Sequence, residues 1–376
     1  MKKFFTFVFA LSFFSVSYAQ SNITSGFYRV NNVATERYVY VHDNVGEASV
    51  NGKIDLDAIY LRSGLENTIS DPGSVIYFED RGNKSFDFHA QGTSVYSILK
   101  RYVLITKNRE ADTYAVGAEV GGVRSFLTDS RAASKGQYGR IDNSSNGSIY
   151  WNVTPVSAES ANFFGITPSV SANSKYYHPF YADFGIDPVS DNTVVYTVSQ
   201  SNNYAVLLAP VTGPVAPKTP VVIECASKDP AQNKLNLSMN GNAVDGNKLV
   251  GNIFDTDNAF LFYLTNFKIH TNQLPVTSDM RFLSVDDKGQ LVFSKTDLKT
   301  VPANSSYLKV ASNASNDLIV CFTQEEYDAV TASSLDSFIN DGGEVEVFNL
   351  LGKKVVNTRN LPAGIYIIGG KKTVIR

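Results

Sequence analysis

The sequence is short of the residues that usually announce chemistry. It has two cysteines, four histidines, one tryptophan and three methionines in 376 residues. No two of His42, His89, His178 and His270 lie within ten residues of each other, and neither Cys225 nor Cys321 has a second ligand at metal-binding spacing. A local histidine pair or a cysteine zinc site is therefore not expected. No Gly-x-Gly-x-x-Gly, phosphate loop or Gly-x-Ser-x-Gly occurs, so the common nucleotide and nucleophile-elbow signatures are missing. Charge is sparse too: 33 Lys and Arg against 36 Asp and Glu give −3, with no basic block. That balance argues against nucleic acid and anionic lipid as partners. Asp255-Thr256-Asp257-Asn258 and Asp286-Asp287-Lys288-Gly289 lack the spacing and distal Glu of a calcium loop. The reading is a chain with no cofactor, no metal and no catalytic residues that can be named: not an enzyme.

What is present begins at residue 1. Lys2 and Lys3 precede an apolar run from Phe4 to Val16, and Ser17-Tyr18-Ala19 supplies small residues for cleavage before Gln20. Residues 1–19 read as a secretory signal peptide, with the run too short to anchor in a bilayer. Cleavage removes Lys2 and Lys3 and takes the formal charge from −3 to −5. No later stretch is long and apolar enough to span a membrane, so the mature chain has no expected transmembrane segment. The expected location is secreted or at the cell surface. Export permits a disulfide between Cys225 and Cys321, but both lie in apolar strand-like runs where a thiol serves as a small core residue. The pairing stays open.

Twenty Tyr and 24 Phe fit pleated sheet faces, and nearly every segment alternates between turn signals. The expected class is all-β. Residues 20–157 hold three imperfect repeats, opened by Gly26-Phe27-Tyr28-Arg29-Val30-Asn31 and Arg37-Tyr38-Val39-Tyr40-Val41, with Trp151 in the closing strand. This region resembles a ricin-type β-trefoil. The resemblance implies a sugar site in which an Asp after a strand accepts hydroxyl bonds beside an aromatic ring. Asp43 and Asp129 occupy that place, with Tyr38, Tyr40 and Phe126 as ring partners. The Gln-x-Trp that closes lectin repeats is absent.

Residues 158–322 carry a second duplication. Val194–Val198 leads through a turn and a proline-marked crossing to Val221–Ile223, and Arg281–Val285 leads likewise past Pro302 to Tyr307. An antiparallel β-sandwich follows from it. Thr323 and Glu326 form a capping box that opens a short helix or linker over 323–343. Residues 344–376 read as a small β-sheet. Its Leu350-Leu351-Gly352-Lys353-Lys354 and Leu361-Pro362-Ala363-Gly364-Ile365-Tyr366 pieces resemble the C-terminal sorting domain of type IX secretion substrates in Bacteroidetes. That resemblance implies secretion machinery as a partner of the tail, and the whole chain resembles surface or secreted proteins of Bacteroides type. The functional expectation is a non-enzymatic binding protein for a glycan or host glycoprotein. The alternatives are a structural or adhesion component and a hydrolase with a dispersed active site.

Overall fold

The structure, a computed structural model, describes residues 23–41, 49–50, 53–54, 59–63, 68–89, 102–106, 112–120, 123–129, 139–142, 149–253, 274–340, 347–349, 352–355, 364–368 and 371–375. Residues 1–19 lie outside them. The chain is all-β, with several antiparallel sheets and one α-helix among the described residues. No described helix is long and apolar enough to cross a membrane.

The first strands are β1 (Gly26–Asn32), β2 (Arg37–Val41), β3 (Ser49–Val50), β4 (Lys53–Ile54), β5 (Ile59–Ser63) and β6 (Ile76–Asp80). Next come β7 (Ser85–His89), β8 (Tyr102–Thr106), β9 (Tyr114–Val120), β10 (Val123–Asp129), β11 (Gly139–Asp142) and β12 (Tyr150–Pro155). Six of them pair antiparallel in a ring: β1 with β6, β6 with β7, β7 with β8, β8 with β9, β9 with β12, and β12 with β1. Closure leaves these six without a free edge. The β2–β5 and β10–β11 hairpins hang from the ring and meet where β5 approaches β11. Alternation makes the interior: Val30, Phe78, Phe86, Phe88 and Trp151 are buried, and Phe78 stacks on Phe88 with centroids 4.0 Å apart.

The second body contains β13 (Phe164–Gly165), β14 (Val170–Ala172), β15 (Lys175–Phe180), β16 (Gly185–Pro188), β17 (Val194–Ser201), β18 (Ala205–Pro210) and β19 (Val221–Cys225). It continues with β20 (Lys234–Ser238), β21 (Leu249–Asn252), β22 (Met280–Val285), β23 (Leu291–Ser294), β24 (Ser305–Lys309) and β25 (Asp317–Cys321). Ten strands form one sheet in the order β14-β15-β19-β17-β18-β25-β23-β22-β24-β21. Within it, β15-β19-β17-β18 and β21-β24-β22-β23 share one plan: a hairpin whose later strand crosses back to flank its first, followed outward by a fourth strand. One pair departs from the expected antiparallel pattern. Strand β25 lies between the units, antiparallel to β23 but parallel to β18. The whole of β19 to β24 lies between β18 and β25 in the chain, so no tight hairpin forces this pair to run antiparallel.

The large sheet curls until β14 and β15 come back against β22 and β24. All ten strands contribute to the enclosed core, which includes Tyr177, Val222, Leu249, Phe293, Leu308 and Leu318. On the outer face of β15, β19 and β17, the three-stranded sheet β13-β20-β16 packs across a second core of Phe164, Phe180, Ile186, Val195, Ile223 and Leu235. Two layers around one core make the sandwich. Cys225 lies in this outer core and Cys321 in a separate cluster with Ala205, Leu207 and Tyr327; both are free thiols. Helix α1 (Gln324–Asn340) opens on the expected capping box, with Thr323 Oγ1 accepting from Glu326 N–H and Glu326 Oε2 accepting from Thr323 N–H. Tyr327 docks its first turns on the sheet. Strands β26 (Val347–Asn349), β27 (Gly364–Ile368) and β28 (Lys371–Ile375) form the expected small C-terminal sheet.

Arg29 joins the two bodies. Its side chain is 0 % exposed, yet among the described residues it hydrogen-bonds to no carboxylate. Nε donates to Ser74 Oγ, one terminal nitrogen to Asn162 Oδ1 and Phe163 O, the other to Thr68 O and Ile69 O, at 2.7–3.1 Å. All five guanidinium donors are satisfied. Asn162 completes the clasp by donating to Thr154 O and Pro155 O at the end of β12. Burial lowers the Arg29 pKa to about 10, against the nearby Asp71 and Tyr38. Replacing Arg29 with Ala removes five hydrogen bonds at the junction. Thr68 O and Ile69 O keep other donors, whereas Asn162 Oδ1 and Phe163 O lose the guanidinium. We expect roughly 3 kcal/mol or more of lost stability. Urea unfolding checks this; a loss below about 1 kcal/mol, the worth of one ordinary hydrogen bond, contradicts it.

Candidate functional site

Of the residues expected to bind sugar, Asp43 lies outside the described residues. Asp129 ends β10 opposite Gly139, and Tyr40 pairs with Tyr60; for both, only the backbone is described. Tyr38 is half-buried, opposite Arg62, and close enough to Arg29 to raise its pKa. Phe126 is half-buried, with Gly117 and Asp142 as its register partners. The topology therefore sets Tyr38 and Phe126 on neighbouring hairpins, each one strand back from the β5–β11 seam.

A denser group of polar side chains sits on the ring itself, on the solvent face of β6 and β7. The turn between them uses Gly82, Asn83 and Lys84 at φ of 83°, 53° and 59°, so the strands meet in tight register. Glu79 falls opposite Asp87, and Tyr77 opposite His89. From the turn, Arg81 reaches both acids: Nε donates to Asp87 Oδ2 at 2.6 Å and Nη2 to Glu79 Oε2 at 2.9 Å. His89 Nε2 meets the same Glu79 oxygen at 2.9 Å. The Asp87 hydrogen bond, helped by the charge of both acids, raises the Arg81 pKa. Tyr77 continues the band toward the sandwich, 5.9 Å from His89 and 5.0 Å from Phe27 between centroids. A ring face beside carboxylate, guanidinium and imidazole suits a polyhydroxylated ligand, which stacks its apolar face and hydrogen-bonds at its edge.

Sequence reasoning missed this group. The signal was there: Gly82-Asn83 between two alternating runs fixes the hairpin, and the hairpin fixes which acid faces which.

The other histidines and acids sort as follows. His42 and His270 lie outside the described residues, as do Asp255–Asn258. Asp286 makes a turn, its Oδ1 accepting from Lys288 and Gln290 N–H, which occupies the carboxylate locally. Among the described residues no group of three His, Cys, Asp or Glu could hold a metal. His178 lies on β15 opposite Ile223, on the outer-core face that also carries Cys225. Burial raises the Cys225 thiol to about 12 and lowers His178 to about 4. A thiol held protonated beside an imidazole too weakly basic to take its proton is not an activated nucleophile with its base.

The His178 ring is half-buried, but its Nδ1 is fully enclosed and has no hydrogen-bond partner among the described residues. Because the folded pKa lies below the ordinary 6.5, the unfolded chain binds more protons between those values. The stabilisation from a neutral His178 is thus complete above pH 6.5 and is lost as pH falls toward 4. We expect this group to cost roughly 2 kcal/mol across that window. Unfolding curves of His178→Gln should show a shallower acid slope than the unaltered chain; identical slopes refute the assignment.

Comparison with protein-family models and with curated proteins finds no match.

Proposed function

We propose that this is an exported, non-enzymatic binding protein whose ring domain recognises a glycan or host glycoprotein. The observation that carries the reading is the band Tyr77-His89-Glu79-Asp87-Arg81 on the face of β6 and β7. It combines a partly exposed ring with hydrogen-bonding groups of both signs held rigid by one another. Rigid polar groups beside a ring favour a ligand that is itself polar on its edge and apolar on its face. The closed six-strand ring with pendant hairpins supports the β-trefoil reading on which the sugar site rests. Tyr38 and Phe126, on hairpins flanking one seam, offer a second area for the same ligand class. Export rests on the reading of residues 1–19, and the role of the tail in secretion on the motifs of residues 350–366.

A glycan array of the mature chain tests this directly. Binding should be present, and Tyr77→Ala and Glu79→Gln should each weaken it roughly tenfold or more, about 1.4 kcal/mol. No binding by the unaltered chain, or binding that both variants leave unchanged, rejects the β6–β7 band as a glycan site.

A structural or adhesive role is favoured by a different observation. Ile365 and Val374 are register partners on β27 and β28, 36 % and 57 % exposed. Strand β28 is an edge of this sheet, and an edge beside an exposed apolar face invites pairing between chains. Sedimentation over a wide concentration range should then show reversible assembly that Val374→Lys suppresses; a constant monomer counts against it.

A further inference from the structure

The alternation that turns His178 and Cys225 to the outer side of the large sheet sends their neighbours to the inner side, at one mouth of the curl. Glu224, near the end of β19, has Tyr177 of β15 and Val194 of β17 as its register partners. Its side chain is 14 % exposed and its carboxylate accepts one phenol. The Tyr196 hydroxyl donates to Oε2 at 3.2 Å, and Tyr177, the register partner of Glu224, lies close enough for the carboxylate charge to raise its pKa. Phe322 stands over the group, its centroid 5.6 Å from Tyr196 and 6.3 Å from Tyr177. The helix cap fixes Phe322 in place, since its N–H donates to Glu326 Oε2 at 2.8 Å. A carboxylate walled by aromatic rings is the chemistry that recognises an alkylammonium.

The chain supplies such a cation itself. Lys175 Nζ lies 2.8 Å from Glu224 Oε1 and 5.9 Å from the Phe322 centroid. Its side chain is 57 % exposed, so it enters the mouth from the solvent side as a detachable group. The two residues before it, Asn173 and Ser174, sit at φ of 50° and 64°, and this turn delivers Lys175 to the rim. The carboxylate and rings are thus held by the sheet, whereas the ammonium is held only by a long flexible stem.

We infer that Glu224, Tyr177, Tyr196 and Phe322 form an alkylammonium-binding site at the mouth of the curled sheet, which Lys175 fills until a ligand ammonium displaces it. The ligand is an amine-bearing group, a lysine side chain or another alkylamine, and is independent of the glycan reading of the ring domain. Burial and the Glu224 charge push the Tyr196 phenol up to about 12 and Tyr177 higher still. Both therefore stay protonated across neutral pH, and Tyr196 is the donor that orients the carboxylate.

Occupation in cis reduces apparent affinity by the fraction of sites left open. Lys175→Met keeps the apolar stem and removes the cation. Titrating n-butylammonium chloride into this variant, followed by tyrosine fluorescence, should give a saturable change at least roughly tenfold tighter than in the unaltered chain. Adding Glu224→Gln should abolish it. A second measurement uses the unaltered chain: acylation of Lys175 by an amine-reactive ester should speed up in tetramethylammonium chloride relative to sodium chloride at equal ionic strength. A cooperatively folded Lys175→Met that shows no saturable change overturns the inference, as does equal Lys175 labelling in the two salts. If Lys175→Met does not fold, the labelling comparison decides alone.

Discussion

The structure turns on one buried cation. Arg29 lies out of water at the junction of the strand ring and the sandwich, and an uncompensated guanidinium there would be prohibitive. Compensation comes from geometry, with five donors matched to one hydroxyl, one amide oxygen and three backbone carbonyls. Those acceptors belong to segments far apart in sequence, at residues 68–74 and 162–163. The charge therefore dictates the path of both connections. Around it the outer core accepts Val75, Phe27 and Val156 from the ring side, so apolar packing crosses the same junction. Ring and sandwich share a core and a clasp.

The duplicated plan of the large sheet has a related consequence. Placing two four-strand units in one sheet and curling it brings β15 against β24, and the contact is close. Tyr181 N–H donates to Asn304 O, and Asn304 Nδ2 donates back to Tyr181 O. The Tyr181 ring lies where a side chain on Gly251 would have to go, so that position on β21 requires glycine. Lys218 and Asn304 both take left-handed φ, 60° and 53°, in the proline-marked crossings of the two units. These contacts close the curl, and the closed curl gives the mouth where Glu224 and Lys175 meet.

Much of this was legible in the sequence, because strand alternation and turn residues are local. The Gly26–Asn31 opening, the paired hairpins of the sandwich, the Thr323–Glu326 cap and the three-strand tail all follow from spacing within a few residues. What was not legible depends on contacts at long separation. Arg29 reads as one polar residue in an alternating strand, and its acceptors lie up to 134 positions away. The insertion of β25 beside β18 leaves no local trace either, since a parallel neighbour is chosen by tertiary packing. Glu79 and Asp87 stand between these cases: the turn at Gly82 made their meeting readable, whereas Arg81 bridging both needed coordinates. Tyr38 looked like a ring partner for a sugar, and its place beside Arg29 is invisible without the fold.

The most direct test of the shared core uses the single tryptophan. Trp151 is buried in the ring, so its fluorescence reports the ring alone, while far-ultraviolet circular dichroism reports every strand. If the Arg29 clasp and the crossing core make one cooperative unit, denaturant transitions followed by the two signals will coincide. A tryptophan transition clearly separated from the dichroism transition would show that the ring unfolds by itself, and would contradict the account.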